Sequence, residues 1–184
     1  MSSDSAAAHA PAKLSVVQTL LALAAITAGI VGYLALYAAV GLHEAYIGFL
    51  FLFFWAAIQK FDLTVLPATV VGSFTGLALG YALQLLSTRF GAQGALIFGG
   101  VALVVLFLLL RQQLKLFIND ATMLMLTVAA ITHLQAHADF RDLFLSLGLA
   151  VVLFGGGVWL LNLVRSRTAK RDAVGAPGGS SLAH

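Results

Sequence analysis

The chain has 184 residues, of which 61% are hydrophobic and 9% charged, with a mean hydropathy of +1.00 and no cysteine. Soluble domains carry roughly 25% charged residues, so this composition is that of an integral membrane protein, and the absent cysteines exclude disulfides, thiolate metal sites and a cysteine nucleophile. The net charge of +3 is no nucleic-acid signal, because the basic residues fall between apolar runs and in the tail, where membrane topology accounts for them.

Residues 1–13 are small and polar, too poor in apolar side chains to pack, and are expected to be disordered. Residues 14–40 form an apolar run far longer than the roughly 7 to 15 residues of a signal-peptide core, and predict an uncleaved first span. After a turn at residues 41–44, the aromatic stretch YIGFLFLFFWAAIQ (46–59) is short for a crossing that needs about 20 residues. Lys60, Phe61 and Asp62 break the run, and residues 63–87 predict a third helix, with Pro67 in its first turns where a missing N–H is tolerated. Within it Gly72, Gly76 and Gly80 recur every four residues, which places them on one face and lets another backbone approach. A turn at residues 88–91 leads to a fourth span over 92–110, and RQQLKLFIN (111–119) suits an interfacial connector. The fifth span, 120–133, is again short, with Asp120 as its expected N-cap. Polar residues 134–142 precede a sixth helix over 143–164, in which Gly155 and Gly156 predict close helix contact or a kink. Residues 165–184, basic and then Gly/Ser-rich, are expected to be a disordered tail.

The fold class is therefore an all-α polytopic bundle of about six spans over residues 14–164. Alternate sides of six spans divide the basic residues eight to two: Lys13, Lys60, Arg111, Lys115, Arg165, Arg167, Lys170 and Arg171 against Arg89 and Arg141. That bias predicts cytoplasmic termini, in what is expected to be a bacterial inner-membrane protein. An internal repeat is also suggested. Trp55-Ala56-Ala57-Ile58-Gln59 before Phe61-Asp62-Leu63 parallels Val128-Ala129-Ala130-Ile131-Thr132 before Ala138-Asp139-Phe140. Two three-span units would be inverted relative to each other, as in many transporters, with the paired short segments pointing to a central site. The competing reading is that both short spans are tilted or completed by neighbouring polar residues.

The pattern Gly48-Phe49-Leu50, a break after the short second span, and Asp139-Phe140-Arg141 followed by Ser146-Leu147-Gly148-Leu149 resembles the YcdZ-like group of small bacterial inner-membrane proteins. The resemblance runs from the second span to the sixth, about two thirds of the chain. A Pro-Gly pair associated with that group at the start of the fifth span is replaced here by Asn119-Asp120. The group has no assigned reaction, so the resemblance implies a compact multi-span fold and nothing about chemistry.

Polar residues inside spans must find partners or water, and so carry the functional information. Thr69, Ser73 and Thr75 surround the glycine stripe of the third helix, with Gln84 nearer its far end. They serve either as back-bonded hydroxyls beside a packing face, formed by Gly72, Gly76 and Gly80, or as a narrow polar path. Gln59, Thr69, Ser73, Gly76, Thr127 and Thr132 are the candidate pore or substrate residues. His133 and His137, four apart, fall on one side with His43, Glu44, Asp139 and Asp142. Such a set either consists of polar loop residues at a membrane surface with no special role, or binds a divalent metal, or senses acid, with His133, His137, Glu44 and Asp139 as the candidate sensing residues; no metal or cofactor is expected. Hydrolase elbows, phosphate-binding loops and paired carboxylates within spans are absent from the sequence, so no enzyme is expected. The functional expectation is a channel or transporter for a small, uncharged or weakly charged solute, in a lipid bilayer and as a homo-oligomer. The alternative is a non-transporting structural or assembly subunit of a membrane complex.

Overall fold

The computed structural model describes residues 15–175, which are helical apart from turns, with no strand among them. The helices are α1 (Val16–Val40), α2 (Tyr46–Phe53, continued by a π-helical turn Phe54–Ile58), α3 (Leu66–Phe90), α4 (Ala92–Leu110), α5 (Asp120–Ala129), α6 (Thr132–His137), α7 (Phe140–Ala150, continued by a π-helical turn Val151–Gly155) and α8 (Gly156–Gly175). Among the described residues, four stretches are long and apolar enough to cross a membrane: Thr19–Val40, Leu66–Phe90, Ala92–Leu110 and Phe140–Val164. Two apolar helices, Tyr46–Ile58 and Asp120–Ala129, are shorter; at 1.5 Å per residue they reach only about 20 and 15 Å.

Each short helix lies on a long one, α5 on α3 and α2 on α7. The glycine face of α3 receives α5. A Cβ at Gly72 would strike the Asn119 side chain, one at Gly76 would strike the Thr122 carbonyl oxygen and lie 2.8 Å from Met125 Cβ, and one at Gly80 would strike Ala129. On the other seam the glycine belongs to the short helix: a Cβ at Gly48 would run into the Tyr33 ring and lie 3.0 Å from Ala150 Cβ. α3 and α7 cross at Phe74, whose ring stacks on Phe144 with centroids 6.2 Å apart and is the nearest neighbour of Gly148. The core between these seams holds Tyr33, Phe51, Trp55, Leu77, Met125, Leu143 and Leu147.

Several boundaries differ from expectation. The third helix begins at Leu66 and runs to Phe90, where Gly91, at φ +56°, turns the chain into α4 and donates its N–H to Ser87 O. That conformation costs glycine little and other residues much. The fifth helix stops at Ala129 and the chain extends at Ile131 before α6. Its N-cap is Asn119 and not Asp120: Asn119 Oδ1 accepts from Ala121 and Thr122 N–H, and Thr122 Oγ1 accepts from Asn119 N–H. The reason is that an amide also donates. Asn119 Nδ2 gives hydrogen bonds to Ala68 O (2.7 Å) and Lys115 O (3.0 Å), which a carboxylate at that position could not supply. The last helix begins at Phe140 and continues through α8 to Gly175, past the expected end of the final span. Residues 1–13 and 176–184, expected to be disordered, lie outside the described residues.

Candidate functional site

Thr69, Ser73, Leu77, Gly80 and Gln84 fall within about 80° of arc on α3, because 100° per residue brings steps of three and four back to one face. At one end of this face the loop after α2 folds back. Gln59 receives the Thr69 hydroxyl on its Oε1, and Thr69 Oγ1 also reaches Val65 O at 3.0 Å. Trp55 Nε1 donates to Asp62 O (3.1 Å) and fixes that loop, with Phe61 edge-on to the Trp55 ring. One turn deeper, the Ser73 hydroxyl is fully buried and has no hydrogen-bond partner among the described residues.

The opposite end has a different construction. Gln84 Nε2 donates to Gln135 O (2.9 Å), while Gln135 Nε2 reaches back to Gly80 O (3.1 Å) and Ala129 O, closing the end of α5. Gln135 Oε1 is buried with no partner among the described residues. Between the two polar ends lies Leu77, fully buried against Met125 and its neighbours. From Ser73 to Gly80 is about 10 Å of helix. The face thus reads polar, apolar, polar, with a buried acceptor or donor left unmet on each side of the apolar stretch. Leaving such a group unmet costs roughly 1–3 kcal/mol, so each favours a hydrogen-bonding guest.

The remaining candidates lie elsewhere. Gly76 is covered by α5. Thr127 is exposed and donates to Met123 O within its own helix (2.7 Å). Thr132 and His133 lie on α6, and their side chains are outside the described residues. His137 ends α6 and is exposed; Glu44 is half-buried in the turn before α2. Asp139 caps α7, accepting from Arg141 N–H at 2.9 Å. Within that polar set His43 and Asp142 meet: the His43 backbone N–H donates to Asp142 Oδ2 (3.1 Å), with Nδ1 3.3 Å from the same oxygen. Among the described residues no three His, Cys, Asp or Glu side chains gather as a metal site. Gly155 faces Leu66 at contact distance, and Gly156 faces open space.

Sequence reasoning did not find Gln135, Asn119 or the Tyr33–Ser146 pair. Tyr33 Oη lies 2.7 Å from Ser146 Oγ and donates to Ala45 O (3.1 Å), serving the start of α2 from another helix. Asn119 had a signal, an Asn three residues before Thr122 ahead of an apolar run; the other two depend on long-range pairing. No family model, no curated protein and no solved structure matches this chain.

Proposed function

We propose that the protein is a multi-pass protein of the bacterial inner membrane, with both termini cytoplasmic, that lets a small uncharged or weakly charged solute cross along the α3 face. The observation that carries this reading is the buried, unpartnered Ser73 hydroxyl between the Gln59–Thr69 pair and the Leu77 barrier. A hydroxyl both donates and accepts, so it suits a small polyol or amide better than an ion, and no charged side chain sits on that face. In this closed arrangement Leu77 and Met125 separate two polar half-paths.

An inverted repeat of two three-helix units, with α2 and α5 as the short members of six spans, supports the reading. α2 and α5 begin at Tyr46 and Asp120, α3 and α7 at Leu66 and Phe140, so both pairs are offset by the same 74 residues. The close approaches obey the same offset: Gly76 with Thr122 in one seam corresponds to Ala150 with Gly48 in the other. Phe74 meets Gly148, its own counterpart, as a pair on a two-fold axis must. The expected likeness to the YcdZ-like group belongs to this proposal and adds no reaction. Flux of glycerol and urea into proteoliposomes is the test. Leu77→Ala should raise the rate several-fold and Ser73→Val should lower it. Wild-type and Leu77→Ala rates equal to protein-free vesicles for both solutes overturn the reading.

A second reading, an assembly subunit, rests on α1. Its Leu20, Ala24, Thr27, Ala28, Val31 and Gly32 line a shallow apolar groove that no described residue covers, and a Cβ at Gly32 would meet no atom of the described residues within 4 Å. Close helix approach in lipid favours such small-residue faces. A concentration-dependent dimer lost in Ala28→Leu, with no solute flux, would support this reading over the first.

A further inference from the structure

A cleft of about 360 Å³ opens between α3 and the start of α7, lined by Tyr81, Gln84, Asp139, Phe140, Arg141 and Phe144. Its floor is aromatic, with the Tyr81 and Phe140 rings 5.5 Å apart. Its rim carries opposite charges two residues apart on one helix start. Both charged side chains are exposed, and neither Arg141 nor Asp139 forms an ion pair with the other or with any described residue. Asp139 uses Oδ1 to cap the helix, which leaves its second oxygen for a ligand.

The depth of the cleft identifies what reaches it. α3 and the α7–α8 helix lie side by side from the Leu66–Gly155 contact to the Tyr81–Phe140 contact, with Phe74 and Gly148 at the middle. That overlap is about 24 Å long, so the cleft lies about 12 Å from its midpoint, close to the edge of a hydrocarbon core with a half-thickness of about 15 Å. A ligand there has an apolar part at ring level and a headgroup at the level of Arg141 and Asp139, which extend toward water as long polar side chains do at interfaces.

We infer that this cleft binds an aminophospholipid, its phosphate on the Arg141 guanidinium, its primary ammonium on the Asp139 carboxylate and its upper acyl chain on Tyr81, Phe140 and Phe144. The guanidinium fork matches phosphate geometry. The adjacent carboxylate disfavours a purely anionic headgroup and accepts hydrogen bonds from an ammonium, which a quaternary choline nitrogen cannot donate. The inference needs the chain in a membrane and does not depend on solute transport.

Native mass spectrometry of the full chain from mixed micelles tests it, with equal phosphatidylethanolamine, phosphatidylcholine and phosphatidylglycerol. Wild-type protein should retain phosphatidylethanolamine about five- to tenfold over either competitor, the scale of one partly desolvated ion pair. Asp139→Asn keeps the cap acceptor and should erase the preference over phosphatidylcholine; Arg141→Gln should weaken retention of all three. Thermal melts identify folded variants, and Tyr81→Ala, which touches neither charge, should lower retention without changing the order of preference. Equal retention of the three lipids by wild-type protein, or an order unchanged in Asp139→Asn, overturns the inference, as does a preference for phosphatidylglycerol. Displacement of the lipid by millimolar glycerophosphoethanolamine would assign the cleft to a soluble headgroup compound and overturn the membrane-lipid assignment.

Discussion

The α3–α5 seam and the α2–α7 seam solve one problem in two ways. Both seat a short apolar helix against a long one, and both need close backbone approach and partners for the unpaired N–H and C=O groups at the short helix ends. In the first seam the long helix supplies the glycines, and the short helix caps itself through Asn119 and Thr122. In the second the short helix supplies Gly48, and Tyr33 of α1 adds a further hydrogen bond to the Ala45 carbonyl, which already accepts from Gly48 and Phe49 N–H. The first seam is thus tied at its far end by Gln135 of α6, whereas the second is tied to α1 by aromatic contacts of Tyr33 with Phe49 and Phe154.

If that difference is real, the largest effect belongs to Gly76→Leu. Backbone and not a movable side chain opposes the new atoms, so we expect a loss of about 3 kcal/mol or more, measured by unfolding in mixed micelles. Gly48→Leu should cost somewhat less, because a side chain and not backbone opposes it, but the buried Tyr33 ring must give up its bonds to Ser146 and Ala45 to move; equal losses would break the contrast. Next comes Asn119→Ala, which removes the cap and the Ala68 tie together, for about 2 kcal/mol. Its effect should be seen as faster hydrogen exchange in the first turn of α5 with α2 unchanged. Tyr33→Phe should cost about 1 kcal/mol and raise exchange at the start of α2. An effect confined to α1 would show that the tie from Tyr33 to Ala45 contributes nothing to α2.

The smallest effect concerns the loop that closes α2. Thr64, through its backbone N–H and its hydroxyl, holds the exposed Asp62 carboxyl below its ordinary value of 3.8. A carboxyl lowered on folding stabilises the fold above the unfolded value and loses that contribution as pH falls through the folded one. Asp62→Asn should thus melt slightly below wild type at pH 7, and the gap should narrow steadily as pH falls below 3.8. A gap that does not narrow on acidification would show that the carboxylate charge is not its source.

How far the sequence is legible follows from the same two seams. The four-residue recurrence of Gly72, Gly76 and Gly80 marks a packing face by local geometry alone, yet the chain elsewhere gives no hint that residues 119–129 fill it. The Ala-Ala-Ile match pairs Trp55 with Val128, one residue out of register with the helix starts at Tyr46 and Asp120. Short apolar words recur too easily in such a composition to set register. Gln135 carries a buried amide that ties two helix ends together, and nothing in the sequence separates it from the other polar residues of its stretch.

By itself the sequence determined the class: long apolar helices, their breaks at residues 60–62 and 111–119, and a glycine face on one of them. These follow from hydrogen-bond satisfaction in lipid and from the 3.6-residue turn, which act locally. Only the tertiary structure decided which helix covers that face, that Asn119 and not Asp120 caps α5, and that Ser73 finds no partner among the described residues. The physical reason is that lipid and protein core are equally apolar, so the pattern of hydrophobicity does not say which side of a helix turns inward. Partner choice then rests on close packing and a few hydrogen bonds between residues far apart in the chain.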